Sequence, residues 1–306
     1  MDANIPSAQL SARVTDEQPR LTPASLIAVD YIAPSQVIAP YVITLYHFRC
    51  DEAVIRDIQP ASVGHLCLFP RGTGELHFAK GNRDPNHAVG LLTPLSRAVA
   101  IVVDGPFHAV GAALTPLGWA ALTGLHAGKY RDRLLPAGSV LGPEIDALGA
   151  QLLDAYRAGT MSGRECALAI GTFIESHLRP INPRHLELVA AVGHWLSAAF
   201  NPEVGALNGA AGYSARQVQR LVERYFGLPP RALARKYRAL RTASLLSSAQ
   251  LSLEDEAEIA EAFFDQSHMI REITHFVGRT PARLNARETP YLAEMINSRN
   301  LRELGG

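Results

Sequence analysis

A repeat with a 51-residue offset in the last third of the chain restricts its fold more than any other feature. Ser214 and Asp265 occupy equivalent helix-capping positions, Val218 and Met269 equivalent inward positions, and Arg220 and Arg271 equivalent outward ones. Val222 then matches Ile273, Gly227 matches Gly278 and Pro230 matches Pro281. Cap, core, exposed cation, terminating glycine and following proline all keep register, so the segment contains two copies of one helical unit. In the first copy Ser214 and Gln217 have the spacing of a capping box, which starts a helix at Ala215. Val218, Leu221, Val222 and Tyr225 line one face of that helix, with Arg216, Gln217, Arg220 and Arg224 on another. Residues 203–211 predict a short preceding helix with Val204 and Leu207 inward. A short helix, a tight turn containing Gly212 and a helix with a basic face spell helix-turn-helix. The two units are joined by residues 230–247, a helix about 27 Å long at about 1.5 Å per residue. Successive major grooves on one face of B-DNA lie about 34 Å apart, so such a connector suits two recognition helices one turn apart.

Charge agrees locally and not globally. The chain has 29 basic and 29 acidic residues, so its total charge nominates no partner. Yet Tyr213–Arg241 holds eight Lys/Arg against Glu223 alone, a net of +7, whereas residues 254–265 hold six acids and no base. A local stripe matters more to a polyanion than the sum. Arg216, Gln217 and Arg220 are the expected base-edge contacts, because Arg pairs bidentately with guanine and Gln with adenine. Arg224, Arg235 and Arg238 are expected on phosphates, which position without specifying. The aromatics Tyr225, Phe226, Phe263, Phe264 and Phe276 fall at helical spacing and read as core.

At 306 residues the chain predicts two domains. Residues 1–25 lack periodicity and read as a loose arm. From 37 to 114, β-branched and aromatic runs alternate with Gly/Pro/Asn punctuation; 37–48, 62–69, 74–80, 87–92, 97–104 and 107–114 are the strand candidates. The separators include Pro70–Gly74, Gly81–Asn86 and Asp104–Pro106. This is the pattern of an antiparallel barrel or sandwich. Residues 116–126 and 143–178 read as helices, and Pro180 and Pro183 bracket the best domain boundary. The expected order is an arm (1–25), a β-rich sensor or dimerisation domain (26–142), a helical linker (143–182), a DNA-binding domain (183–290) and a tail (291–306). The fold class is α+β.

The motifs GYSARQVQRL (212–221), FGLPP (226–230), FDQSHMIREI (264–273), Phe276 and GRTP (278–281) resemble the AraC/XylS family of bacterial transcription regulators. The resemblance covers about 184–290. Residues 60–65 and the Gly105-Pro106-Phe107 and Val110-Gly111 stretch resemble, more weakly, the cupin-like sensor domain of some members. It implies a second recognition helix with Gln266, Ser267, His268 and Arg271 toward DNA, Ser214 belonging to the same DNA-binding set. His268 is read either in that role or as a contact within the motif, and Asp265 as a cap. The resemblance also implies a homodimer, double-stranded promoter DNA as partner and a small-molecule effector. The sequence departs from the family pattern at Asn208, at Ala262 (usually a turn glycine), and at Glu258 and Glu261, commonly small or apolar.

The rival from another class is a cupin-type metal-dependent enzyme with a helical interaction appendage. His47, His65, His77, His87 and His108 invite it, but no His-x-His occurs and Glu75 is the only Glu between Ile58 and Leu135. No nucleophile elbow, phosphate loop or HExxH motif is present, so neither catalysis, metal nor cofactor is expected. Three cysteines without a CxxC pair, no apolar run of membrane-spanning length and an N-terminus without an apolar core predict a cytoplasmic, nucleoid-associated protein with no membrane partner.

Overall fold

The computed structural model describes residues 21–210, 212–248 and 251–284. Of the expected arm, residues 1–20 lie outside the described residues, as does the expected tail 291–306. Thr22 is tied to the sheet, its N–H donating to Arg56 O (2.9 Å) and its Oγ1 accepting from Arg56 N (3.0 Å).

Eight strands pair antiparallel in one sheet: β1 (Ile27–Ile32), β2 (Val42–Cys50), β3 (Val54–Gln59), β4 (His65–His77), β5 (Arg83–Pro85), β6 (Val89–Leu92), β7 (Val99–Leu114) and β8 (Leu134–Pro136). The main path runs β1-β2-β7-β4-β6-β8, with β3 paired to β7 and β5 to β4. Among the described residues β1 and β8 do not pair, so the sheet curls into a sandwich-like shell and not a closed barrel. The period of two separates its faces. Leu45, Leu66, Leu68, Val110 and Ala112 point to one side and pack with Trp119, Ile145, Leu152, Ile170 and Ile174 of the helices that follow. Tyr46, Phe48, His65, Cys67, Phe69 and Ala109 point to the other side and line a cavity.

Two expected turns are in fact the middles of long strands. β4 passes through Pro70–Gly74 by slipping register against β7 between Leu68 and Thr73. Gly72 there has φ +81°, and a Cβ on it would lie 2.7 Å from Asp104 O, so the residue is glycine to make a bulge, not a reversal. β7 likewise runs through Gly105, where a Cβ would lie 1.8 Å from Glu52 O and where its partner changes from β3 to β2. β1, β3, β5 and β8 were absent from the expected set, β5 falling inside the expected Gly81–Asn86 separator; the Arg56-Asp57 pair interrupts the apolar alternation of β3.

Five helices follow the long strand: α1 (Pro116–Thr123), α2 (Ala127–Tyr130), α3 (Gly138–Leu141), then α4 (Pro143–Arg157) and α5 (Gly163–His177). The expected single helix over 143–178 is thus two. Gly159 at φ +72° ends the first turn of chain beyond α4, and a Ser162–Glu165 capping box starts α5. The rest is helical: α6 (Pro183–Ala198), α7 (Val204–Ala210), α8 (Ala215–Phe226), α9 (Pro230–Leu246), α10 (Leu253–Ala262) and α11 (Gln266–Val277). Val192, Leu196, Leu207, Val218, Val222, Leu233 and Ile273 form their shared core. Among the described residues no helix is long and apolar enough to cross a membrane.

The helical layer sits tightly on the sheet. Gly64 packs against the indole of Trp119, which is fully buried; a Cβ there would lie 2.4 Å from Trp119 Cε3. Gly64→Ala is therefore expected to destabilise the protein by about 1–3 kcal/mol through overpacking, read as a lower urea midpoint at unchanged slope.

Candidate functional site

The two repeat units fold into helices of equal length, 12 residues each, displaced by the 51 residues read from the sequence. Ser214 Oγ accepts from Gln217 N, and Gln217 Oε1 accepts from Ser214 N (3.1 Å) and Oγ (2.9 Å), completing the capping box. Asp265 Oδ1 accepts from His268 N at 2.6 Å. Gly227 and Gly278 end the helices at φ +82° and +81°, each donating its N–H back to the last turn. Val218 and Val222 are fully buried, as is Ile273, while Arg216, Gln217, Arg220, Arg224, Gln266, Ser267 and Arg271 are exposed. The polar N-terminal halves of α8 and α11 thus face out.

The rest of the basic stripe divides by helix geometry. Arg238 is a correction: expected on phosphate, its side chain is only 7 % exposed and serves the interior. Its Nη2 and Nε donate to Glu272 Oε2 (2.6 and 3.1 Å), its Nη1 donates to Asn201 Oδ1 (2.9 Å) and Ala262 O (3.1 Å), and it stacks over Phe263. Arg235 remains half exposed but gives its Nε to Glu272 Oε1 at 2.5 Å. His268 Nε2 lies 3.2 Å from the same carboxylate and edge-on to Phe263, so its ring is bound within the motif. Arg241 closes the end of α6 through Leu196 O and Ala199 O. Lys236 is buried and donates to Ser62 O at 3.0 Å, in the N-terminal domain. Arg231 is exposed at the start of α9. Phe264 is 94 % exposed, against the expectation of a core residue, because it falls in the turn between α10 and α11. Glu258 and Glu261 are exposed on α10, so that helix presents an acidic face.

The helix-turn-helix units also dock on the sheet domain. Arg131 Nη1 donates to Gly227 O (3.1 Å), and Gly128 packs against Glu223, fixing the C-terminal end of α8. At the second unit Arg279 pairs with Asp57, both side chains under 10 % exposed, and donates from Nη1 to Ile58 O (3.2 Å). Ala61 N donates to Phe276 O (2.7 Å) and Ala98 N to His275 O (3.0 Å). Gly278 is in contact with Ile58, and a Cβ on it would lie 2.2 Å from Ile58 Cγ2.

Behind this seam lies the cavity, about 170 Å³, enclosed by the inner face of the sheet and reached by Leu240 of α9. Asp57, Gln59, Ala61 and Ser62 belong both to its wall and to the strand end or loop that holds the helix-turn-helix units. Burial pushes the Cys67 thiol up to about 12, with Tyr46 Oη 3.1 Å from its sulfur. The histidines disperse. His65 faces the cavity, whereas His47 and His108 lie on the opposite face and share the Tyr156 hydroxyl (2.9 and 2.6 Å). His77 pairs with Glu75. Among the described residues no three His, Cys, Asp or Glu side chains gather as a metal set. The cavity escaped sequence reading because β1 and β3, which supply Tyr31, Ile55 and Asp57, were not recognised as strands.

Residues 207–287 match the model of a helix-turn-helix domain, the span of α7 to α11. Comparison with curated proteins gives no match. Among solved structures, ToxT from Vibrio cholerae O395, crystallised with a methylnaphthalenyl butenoic acid, is 10 % identical, with 89 % of this chain and 99 % of that one aligned at a TM-score of 0.46. ToxT from V. cholerae strain SCE256, bound to an unsaturated fatty acid, is 11 % identical over 87 % and 94 % of the two chains at 0.43. The AraC-like transcriptional activator CuxR is 12 % identical over 77 % and 92 % at 0.31. The assignment rests on the domain match and on the two capped helices. They define a helix-turn-helix domain in the C-terminal third of the chain.

Burial alone would raise the Glu272 carboxyl, but hydrogen bonds from Arg238 and Arg235 more than offset it and hold it below the usual carboxylate range. Its stabilisation is thus present above the unfolded value of about 4.3 and is lost as pH falls through the lower folded value. Glu272→Gln should cost about 3–5 kcal/mol at pH 7 by stranding Arg238 and should flatten the loss of stability on acidification, both read from urea titrations at pH 7 and pH 4.

Proposed function

We propose that the protein binds promoter DNA through two successive major grooves and that a small molecule in the sheet cavity sets how its helix-turn-helix units are presented. The single observation carrying this reading is the pair of equally long, capped helices with polar N-terminal halves exposed on one domain. Arg216, Gln217 and Arg220 read base edges from α8; Gln266, Ser267 and Arg271 face the second groove from α11. Ser214 at the N-terminus of α8 meets a phosphate, where backbone N–H groups favour an anion. Arg224 and the exposed edge of Arg235 add phosphate contacts, and His268 orients α11 through Glu272. The DNA-binding domain spans about 183–290, the β-rich domain 26–142 and the helical linker 143–182.

The regulatory part follows from the shared wall. A ligand against Asp57, Gln59 and Ser62 touches the segment on which α9 and α11 rest, so its differential affinity for docked and undocked states shifts that equilibrium. The protein acts as a homodimer in the cytoplasm at the nucleoid, by binding and not by catalysis.

Arg220→Ala should weaken promoter binding by about 1–3 kcal/mol and relax base preference at one position; unchanged footprints and selectivity would remove Arg220 from the base-reading set. Arg279→Ala should release the second unit from the sheet and leave Asp57 buried without its partner. Faster proteolysis in the 276–284 segment, with some loss of sheet stability from the unpaired Asp57, is the expected readout.

A further inference from the structure

Resting on the effector reading, the lining of the cavity specifies the chemistry of what it takes. Its walls are apolar rings and aliphatic chains, among them Phe48, Phe69, Phe107 and Val103. Asp57 is the only charged side chain among the lining residues, and Arg279 already holds its carboxylate from behind. Among the described residues no Lys or Arg lines the cavity. The nearby Lys236 is committed to the Ser62 and Leu95 carbonyls. An anionic ligand would lose its hydration and meet a carboxylate in place of a counter-charge, and a desolvated ion without a partner is not tolerated. A cationic ligand would have to displace Arg279 from its own pair.

One polar group in the wall is unmatched. His65 stands on β4 between Gly64, which packs on Trp119, and Leu66, which points to the helices, so its ring is directed to the cavity side beside Tyr46 (centroids 5.8 Å apart). Its Nε2 is buried and has no hydrogen-bond partner among the described residues. Buried ring nitrogens are ordinarily paired, so an open one beside an apolar cavity marks a place for a ligand's hydrogen-bonding group. Burial, with Lys236 nearby, holds the imidazole down at about 4, so it is neutral at physiological pH and offers one donor and one acceptor, not a charge. Apolar cavities of about 150 Å³ already take up benzene, and this one, about 170 Å³, has the size for a single ring with a short substituent.

We propose that the cavity binds a small, uncharged, mainly apolar molecule whose single hydroxyl or carbonyl group pairs with His65 Nε2. Three probes of one shape test it on the full chain by calorimetry at pH 7.5: toluene, benzyl alcohol and benzoate. Benzyl alcohol should bind at least tenfold more tightly than benzoate, and His65→Ala should reduce the benzyl alcohol to toluene affinity ratio about tenfold, the worth of one hydrogen bond. Benzoate binding as well as benzyl alcohol overturns the uncharged class while leaving an effector cavity in place. An unchanged ratio in His65→Ala overturns the anchor. Binding of none of the three removes the effector reading itself, and this inference with it. Should His65→Ala fail to fold, the imidazole 15N resonances of the unaltered protein decide: a shift at His65 Nε2 on adding benzyl alcohol supports the pairing, and no shift at saturation overturns it.

Discussion

The helix-turn-helix pair depends on one buried carboxylate. Glu272 is 1 % exposed on the inward face of α11 and receives Arg238, Arg235 and His268. A charge in that position is tolerated only because cations from the connector α9 surround it, and their fixed geometry sets the angle at which α11 leaves α9. The same carboxylate therefore decides where the second recognition helix lies relative to the first. It also explains why Arg238 on α9 is turned inward: one face of that helix is the second unit's internal scaffold.

The seam beneath that scaffold joins the two domains and underlies the regulation proposed above. The pocket wall and the docking surface are the same stretch of backbone, from Asp57 to Ser62, held on one side by cavity-facing side chains and on the other by Arg279, Lys236 and the Phe276 carbonyl. A packed interface of this kind is bistable and not gradually deformable. Small displacements on the cavity side thus have a direct mechanical route to α11, while α8 is anchored separately through Arg131 and Gly227.

Much of this was legible in the chain because its signals are local. Ser214, Asp265, Gly227 and Gly278 act within one helical turn of themselves, and both recognition helices begin and end where those residues place them. Ser162 and Glu165 carried the same kind of signal for the start of α5, hidden because apolar periodicity continued across the gap. Glycine was the ambiguous letter. Gly72 and Gly105 suggested reversals, yet they are small so that neighbouring backbone carbonyls can approach, a requirement that exists only once β4, β7 and the 51–53 loop are assembled.

The amino-acid order by itself determined the two capped units, their 51-residue spacing and the antiparallel β character upstream, since caps, terminators and alternation are short-range and act through the backbone. Only the tertiary structure decided which cations are free. Arg216 and Arg220 remain in solvent, whereas Arg238, Lys236 and Arg241 are consumed by Glu272 and by carbonyls on other elements. Charge has no direction along a sequence, and whether a guanidinium meets water, a phosphate or a buried carboxylate depends on what the fold packs beside it.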